Sequence, residues 1–177
     1  MYFSYFKLPY IVSKFEAHKE LKNELLERFY NEGLNLSLKN SNNNRTESFT
    51  ASDWYVDQLG MRKYWHWFLP HLLEHIHPLL VDNYSDTYEI ENQWMSSYRK
   101  NDFLDWHVHR GCNYSFIYYV ELEDKKDATL FRDPHTKEEF QPEIQEGDII
   151  MFPSMVQHSS PIIKTDSIKT ILAWNIK

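Results

Sequence analysis

Residues 105–109 read D-W-H-V-H, and residues 146–158 read E-G-D-I-I-M-F-P-S-M-V-Q-H. Both stretches have the texture of strands. His107 and His109 are two apart, and alternate residues of a strand point to one face. Two imidazoles on one face can reach a single ion about 2 Å away. In the second stretch a turn glycine (Gly147), an apolar strand and a stopping proline (Pro153) lead to His158. A hairpin returning past His107 and His109 brings a third imidazole to the same ion. Histidine ligands with open positions suit Fe(II), Co(II), Ni(II) or Zn(II). The competing reading is two alternating surface histidines and an ordinary polar strand end, S-S-P-I-I, after His158. The strand before the pair is expected over 94–98. K-N-D, 100–102, forms the turn, and Asn101 tolerates a left-handed backbone there.

The rest of the second half has the same texture. Y-E-I-E-N-Q-W-M-S-S-Y, N-Y-S-F-I-Y-Y-V-E-L, A-T-L-F-R, G-D-I-I-M-F and I-K-T-I-L-A-W-N-I are short, β-branched and aromatic. Gly, Pro, Asn and Asp separate them. Many short strands at even spacing predict a sandwich or small barrel. The first half is helix-rich. A short strand is expected over 2–8 and an amphipathic helix over 13–30, with Ser13 as N-cap, Glu16 three residues on, and Gly33 ending it. The Asn-rich stretch 38–48 reads as a loop. A second helix is expected from Ser52–Asp53 to about Leu80, broken at Pro70. No internal repeat and no linker composition appear. The expectation is one domain over 1–177, with a helix-rich support region (1–84) and a β core carrying the metal site (85–177).

The composition excludes several classes. With 177 residues, 42% hydrophobic and 16% aromatic, the chain has enough apolar material for one sizeable core. The formal net charge of −7 and the lack of a Lys/Arg run interleaved with aromatics argue against a nucleic-acid partner. The single cysteine, Cys112, permits no disulfide within the chain and fits a reducing compartment. No leader and no membrane span are legible, so the expected location is cytoplasmic, in the host cell if the chain is phage-encoded. On the last strand Lys169, Ile171, Ala173 and Asn175 share one face and Thr170, Leu172 and Trp174 the other. If the first face points inward, a lone cation is buried in an apolar barrel, which is costly unless an anion meets it. If it points outward, Lys169 is an ordinary solvated lysine.

These residues carry a resemblance. Y-R-K-N-D-F-L-D-W-H-V-H, 98–109, resembles the Tyr-x-x-Gly…His-x-Asp segment of prolyl-hydroxylase-type 2-oxoglutarate/Fe(II) oxygenases. Asn101 stands at the usual glycine. N-Y-S-F-I-Y-Y-V-E-L, 113–122, and T-L-F-R-D-P, 129–134, resemble the strands that follow. The His158 segment and K-T-I-L-A-W-N-I resemble the distal-histidine and cosubstrate-anchoring strands. The nearest likeness is to the oxygenase group common in phages and marine bacteria, some of whose members carry His-x-His. N-S-N-N-N-R-T-E-S-F, 40–49, resembles that group too.

The resemblance implies a double-stranded β-helix (a cupin-like jelly-roll barrel), mainly β with N-terminal helices on one outer face. It implies Fe(II) and 2-oxoglutarate as cofactors, with ascorbate as a candidate reductant. His107 and His158 would be iron ligands, and His109 takes the aspartate position. Lys169 would pair with the distal carboxylate of 2-oxoglutarate, with Tyr98 as a second partner. The relatives' Arg-x-Ser is Lys169-x-Ile171 here, one hydroxyl fewer. A nearby carboxylate, Asp102 or Asp105, is an alternative ligand. Trp106, Tyr114, Tyr118 and the 38–48 loop are expected at the entrance. The implied activity is hydroxylation of a protein or peptide side chain, by a monomer or a homodimer.

Three other readings compete. A three-histidine cupin-like dioxygenase dispensing with 2-oxoglutarate matches Gly147, Pro153 and His158, but R-G-C-N-Y-S lacks the glutamate its first motif wants. H-L-L-E-H, 71–75, has the inverzincin metalloprotease pattern, with Pro70 and Pro78 leaving only a short helix between them. A non-catalytic jelly-roll binding or virion-associated module is the third, supported by His109 at the aspartate position. Cys112 is expected to be a small packing residue.

Overall fold

The computed structural model describes residues 9–31, 46–54 and 62–177. The expected strand over 2–8, the Gly33 stop and most of the 38–48 loop lie outside these residues. The described chain is mainly β, with two antiparallel sheets and two α-helices. In order it forms β1 (Ile11–Lys14), α1 (His18–Asn31), β2 (Glu47–Ser48), β3 (Ala51–Ser52) and α2 (Lys63–Asn83). There follow β4 (Ile90–Tyr98), β5 (Phe103–His107), β6 (Tyr114–Leu122), β7 (Leu130–Arg132), β8 (Glu139–Phe140), β9 (Asp148–Pro153), β10 (His158–Ser160) and β11 (Lys169–Ile176). One sheet has the order β1-β9-β6-β11-β4-β3, the other β2-β5-β10-β7-β8.

The first helix starts later than its apolar spacing predicts. Ile11–Lys14 is a strand, pairing antiparallel with β9 from Ile11 opposite Met151 to Lys14 opposite Asp148. The Phe15 amide then donates to the Gly147 carbonyl at 3.0 Å, and the helix opens at His18. Ser13 caps nothing, and its hydroxyl meets His75 Nε2 at 2.7 Å. The edge of the large sheet outbids a helical first turn because β9 offers a full row of backbone partners.

The second helix also departs from expectation. Ala51–Ser52 pairs with β4 instead of opening it, and Lys63–Asn83 runs unbroken through Pro70 and Pro78. Each proline costs about 3 kcal/mol inside a helix. Against this, Tyr64, Trp65, Phe68, Leu72, Ile76 and Leu80 are all buried, each contributing roughly 1.5–3 kcal/mol. Burial wins. Both prolines sit on the exposed face, as do His66 and Glu74, whose carbonyls the prolines cannot serve. Water can serve them instead.

The core explains where the last strand's side chains go. Leu172, Trp174 and Ile176 join Met95, Phe116, Tyr118 and Met151 in one cluster with the buried residues of both helices. Trp174 stacks on Phe116 at 4.8 Å. The opposite face of β11, with Lys169, Ile171, Ala173 and Asn175, lines a cleft between the two sheets. Every residue of β11 is therefore buried. Tyr118 belongs to the helix side: its ring stacks on Phe68 at 5.6 Å and its hydroxyl meets His18 Nδ1 at 2.7 Å. Tyr114 packs edge-on to Tyr84. Neither tyrosine stands at the entrance predicted for it. No helix among the described residues is long and apolar enough to cross a membrane.

Candidate metal centre

Two backbone features bring the three histidines together. At Asn101 the backbone takes φ 72°, and the turn carries the chain from β4 in one sheet to β5 in the other. β10 then pairs antiparallel with β5, setting His158 directly opposite His107. Cross-strand neighbours point to the same side. His109 lies two residues past the end of β5, not on it as the spacing predicts. Its amide donates to the Ser154 carbonyl at 2.9 Å, fixing it against the segment after β9. The candidate ligand atoms of His107, His109 and His158 all lie within 4.8 Å of one another.

The tautomers suit coordination. His107 Nδ1 donates to the Asp105 carbonyl at 2.8 Å, and His158 Nδ1 to the Val156 carbonyl at 2.9 Å. A carbonyl only accepts, so each Nδ1 carries the proton and each Nε2 keeps a free lone pair. Burial lowers all three pKa values. His109 falls to about 4, by burial and then the nearby His107. His107 is lowered by burial against the opposing Asp105 carbonyl. His158 is lowered well below its ordinary value, by burial and the two other imidazoles. Neutral imidazole is the form that binds metal. The ring of His109 sits among Trp94 and Trp54, at 5.4 and 6.2 Å between centroids.

Neither candidate carboxylate joins the group. Asp102 accepts from Ser48 Oγ and Thr50 Oγ1, both at 2.6 Å, and from the Arg99 amide. Asp105 is exposed and accepts from the Trp106 amide at 2.8 Å. Among the described residues the candidate metal group consists of three histidines. His71 and His75 form no such group: His71 packs on Trp67, and the half-buried His75 meets Ser13 and Phe15. Cys112 is half-buried, and burial pushes its thiol pKa up, away from a reactive thiolate.

The cleft that holds His107, His109 and His158 also contains Lys169 and Tyr98. Lys169 is 0% exposed. Its Nζ donates to Ser160 Oγ at 2.8 Å and lies 4.9 Å from the centre of the Tyr98 ring. Burial lowers its pKa to about 7, with Asp127 opposing weakly. Tyr98 stands opposite Lys169 across the β4–β11 ladder, and its hydroxyl meets Ser160 and Ser96. Burial pushes the Tyr98 phenol well above its ordinary value. Ser160 is the partner the sequence reading missed. Its place two residues after His158 was the available signal. The free space in the cleft is narrow, about 30 Å³.

A wider groove of about 410 Å³ shares Trp94, Leu104, His107 and His109 with the cleft and is lined further by Glu47, Trp54, Asp105 and Trp106. Of the residues predicted at the entrance, Trp106 and the end of the 38–48 stretch are there. Trp54 and Trp94 were not singled out by the sequence as site residues.

The sequence matches no protein-family model and no curated protein. Solved structures do match the fold. The viral collagen prolyl hydroxylase of Paramecium bursaria Chlorella virus-1, solved as its 2OG complex, superposes with a TM-score of 0.64 at 13% identity, covering 94% of each chain. A Pseudomonas putida prolyl-4-hydroxylase gives 0.61 at 15% identity, over 95% of this chain and 92% of that one. Iron-bound HygX from Streptomyces hygroscopicus gives 0.63 at 11% identity, over 96% and 82%. Across nearly its whole length, the chain has the fold of the prolyl-hydroxylase-like 2-oxoglutarate/Fe(II) oxygenases.

Proposed function

We propose that the protein is a 2-oxoglutarate- and Fe(II)-dependent dioxygenase that hydroxylates a protein or peptide side chain, on a double-stranded β-helix. One observation carries the reading: three neutral imidazoles converge in a cleft that also buries a lysine with no carboxylate among the described residues bonded to it. An apolar cleft tolerates such a lysine when its natural occupant is an anion. The fold of the structural neighbours supports the same reading.

His107 and His158 would hold the metal through Nε2 and His109 through a ring nitrogen. Lys169 would take the distal carboxylate of 2-oxoglutarate, with Tyr98 and Ser160 as hydroxyl partners. Bound iron with 2-oxoglutarate supplies the activation of dioxygen. The overall reaction converts a C–H bond, dioxygen and 2-oxoglutarate into an alcohol, succinate and carbon dioxide, one oxygen atom entering each organic product. The chain's own part is to orient and to exclude water. Trp54 and Trp94 cover His109 on the groove side. The 30 Å³ of free space holds little more than a water. A five-carbon dicarboxylate therefore enters by opening the Lys169–Ser160 hydrogen bond and spreading the cleft.

The test is an anaerobic titration of the Fe(II)-loaded protein with 2-oxoglutarate, watching for a weak visible charge-transfer band. The band should appear in the wild type and fail in Lys169→Ala at the same concentrations. Iron bound without a band would overturn the reading. It would favour a cupin-like three-histidine dioxygenase that does without 2-oxoglutarate, the alternative supported by the carboxylate-free cluster.

A further inference from the structure

We infer that the groove beside the histidines receives a cationic side chain, that of a lysyl or arginyl residue presented by a peptide. The inference deepens the oxygenase reading and rests on it for the reaction, though not for the binding.

The groove has two kinds of wall. Trp54, Trp94 and Trp106 give it aromatic surface, and Phe49, Leu104 and Val108 complete the apolar part. Glu47 and Asp105 are its charged residues, and no Lys or Arg is among the described residues that line it. A lysyl or arginyl side chain has the matching anatomy. Its methylenes cover apolar surface, and its charged head seeks carboxylates and aromatic faces.

Two observations favour a cation over a neutral guest. First, the Glu47 carboxylate is partly buried, burial pushes its pKa up, and no cation or donor among the described residues offsets this. A guest cation would. Second, the Asp105 carboxylate is exposed and, among the described residues, bonded only to its neighbour's amide, so it keeps acceptor capacity. One cation is already near: Arg132 lies 4.0 Å from the centre of the Trp106 ring, and its ion pair with Glu139 at 2.7 Å offsets its charge. His107 and His109 also line the groove, so a side chain seated in it meets the metal-binding end.

The experiment uses dye-labelled capped heptapeptides, Gly₃-X-Gly₃, with X as Lys, Arg, norleucine, Pro or Glu. Binding to the full Zn(II)-loaded chain is followed by fluorescence anisotropy. The Lys and Arg peptides should bind at least ten-fold tighter than the norleucine and Glu peptides. Glu47→Gln and, separately, the exposed Asp105→Asn should each shrink that preference several-fold. A Pro or norleucine peptide that binds as tightly as Lys, or a preference unchanged in both variants, overturns the inference. The charge-transfer titration above separates the two proposals. A band without cationic preference sinks the groove assignment alone. Cationic preference without a band sinks the oxygenase reading and leaves the groove.

Discussion

Replacing Lys169 with methionine should make the protein more stable and unable to use 2-oxoglutarate. The buried ammonium is the reason. Its pKa falls from 10.5 to about 7; at 1.36 kcal/mol per pH unit, the empty cleft penalises the charge by about 5 kcal/mol. Methionine is close in length and carries no charge. It forgoes the 2.8 Å bond to Ser160, worth about 1 kcal/mol. Buried charges replaced by apolar residues typically gain about 1–4 kcal/mol. A gain of 2 kcal/mol would raise the melting midpoint by roughly 4–8 °C in a domain of this size. The pH dependence gives an internal check. Between pH 7 and 10.5 the unfolded lysine keeps its proton and the folded one does not. Wild-type stability therefore rises with pH there, by at most about 1.4 kcal/mol per unit. The advantage of Lys169→Met is flat below pH 7 and fades above it. Urea denaturation of the metal-free proteins at pH 6, 7, 8 and 9 measures this. With Mn(II) present, 2-oxoglutarate at 100 times its Kd should stabilise the wild type by about 2.7 kcal/mol and the variant not at all. A variant no more stable than wild type at pH 7, or one still stabilised by 2-oxoglutarate, would refute the reasoning.

His158→Ala should weaken Co(II) binding by more than about 100-fold, the range already reached when only a ligand's outer partner is lost; visible absorption titration measures it. Because all three imidazoles stay neutral below the ordinary histidine range, Co(II) affinity should fall less than ten-fold from pH 6.5 to 5.5, where three ordinary histidines would lose about 170-fold. His109→Asp adds a negative ligand, so it should tighten Co(II) binding and weaken 2-oxoglutarate binding in the same titrations. Asp53→Ala should cost about 3–5 kcal/mol in urea unfolding. It strips the buried Arg62 of its ion partner and removes the acceptor for Tyr64 Oη and the Met95 amide.

The β half of the molecule was legible because its patterns are short-range. Period-two alternation, a turn at Asn101 and a stop at Pro153 each act within a few residues. His107 and His158 meet because one strand pairing sets them opposite each other, and the two-residue spacing then carries His109 along even though it leaves the strand. The helical half misled for a physical reason. Ser13, Glu16 and the apolar residues after them fit a helix start, but β9 offered residues 11–14 an edge to pair with, and edges are not visible in local sequence. Pro70 reads as a break only if the rest of α2 is taken alone; six buried side chains against the sheet outweigh it. Lys169 could be placed on a face by period two, yet β11 is buried on both faces, so alternation could not tell cleft from helix side. Trp54 and Trp94 come to the site from separate segments, and nothing local marks them.

Charge connects the histidine at the aspartate position with the acidic groove outside it. In the proposed site a divalent ion held by three neutral imidazoles keeps its full charge, and Lys169 adds another at the far end of the same cleft. The two carboxylates of 2-oxoglutarate cancel two of these three charges. An aspartate at 109 would cancel the third; His109 does not. One uncompensated positive charge in a low-dielectric barrel raises the affinity of any anion inside it, and by reciprocity the anion must tighten the metal by the same factor. The same surplus would repel a cationic side chain arriving from the groove. Glu47 and Asp105 line that groove, and their charges oppose the repulsion. Taken together, the two proposals make a neutral ligand set in the cleft and a pair of carboxylates along the groove one electrostatic arrangement, in which the cleft draws the anionic cosubstrate and the groove, sharing His107 and His109 with it, draws the cationic substrate.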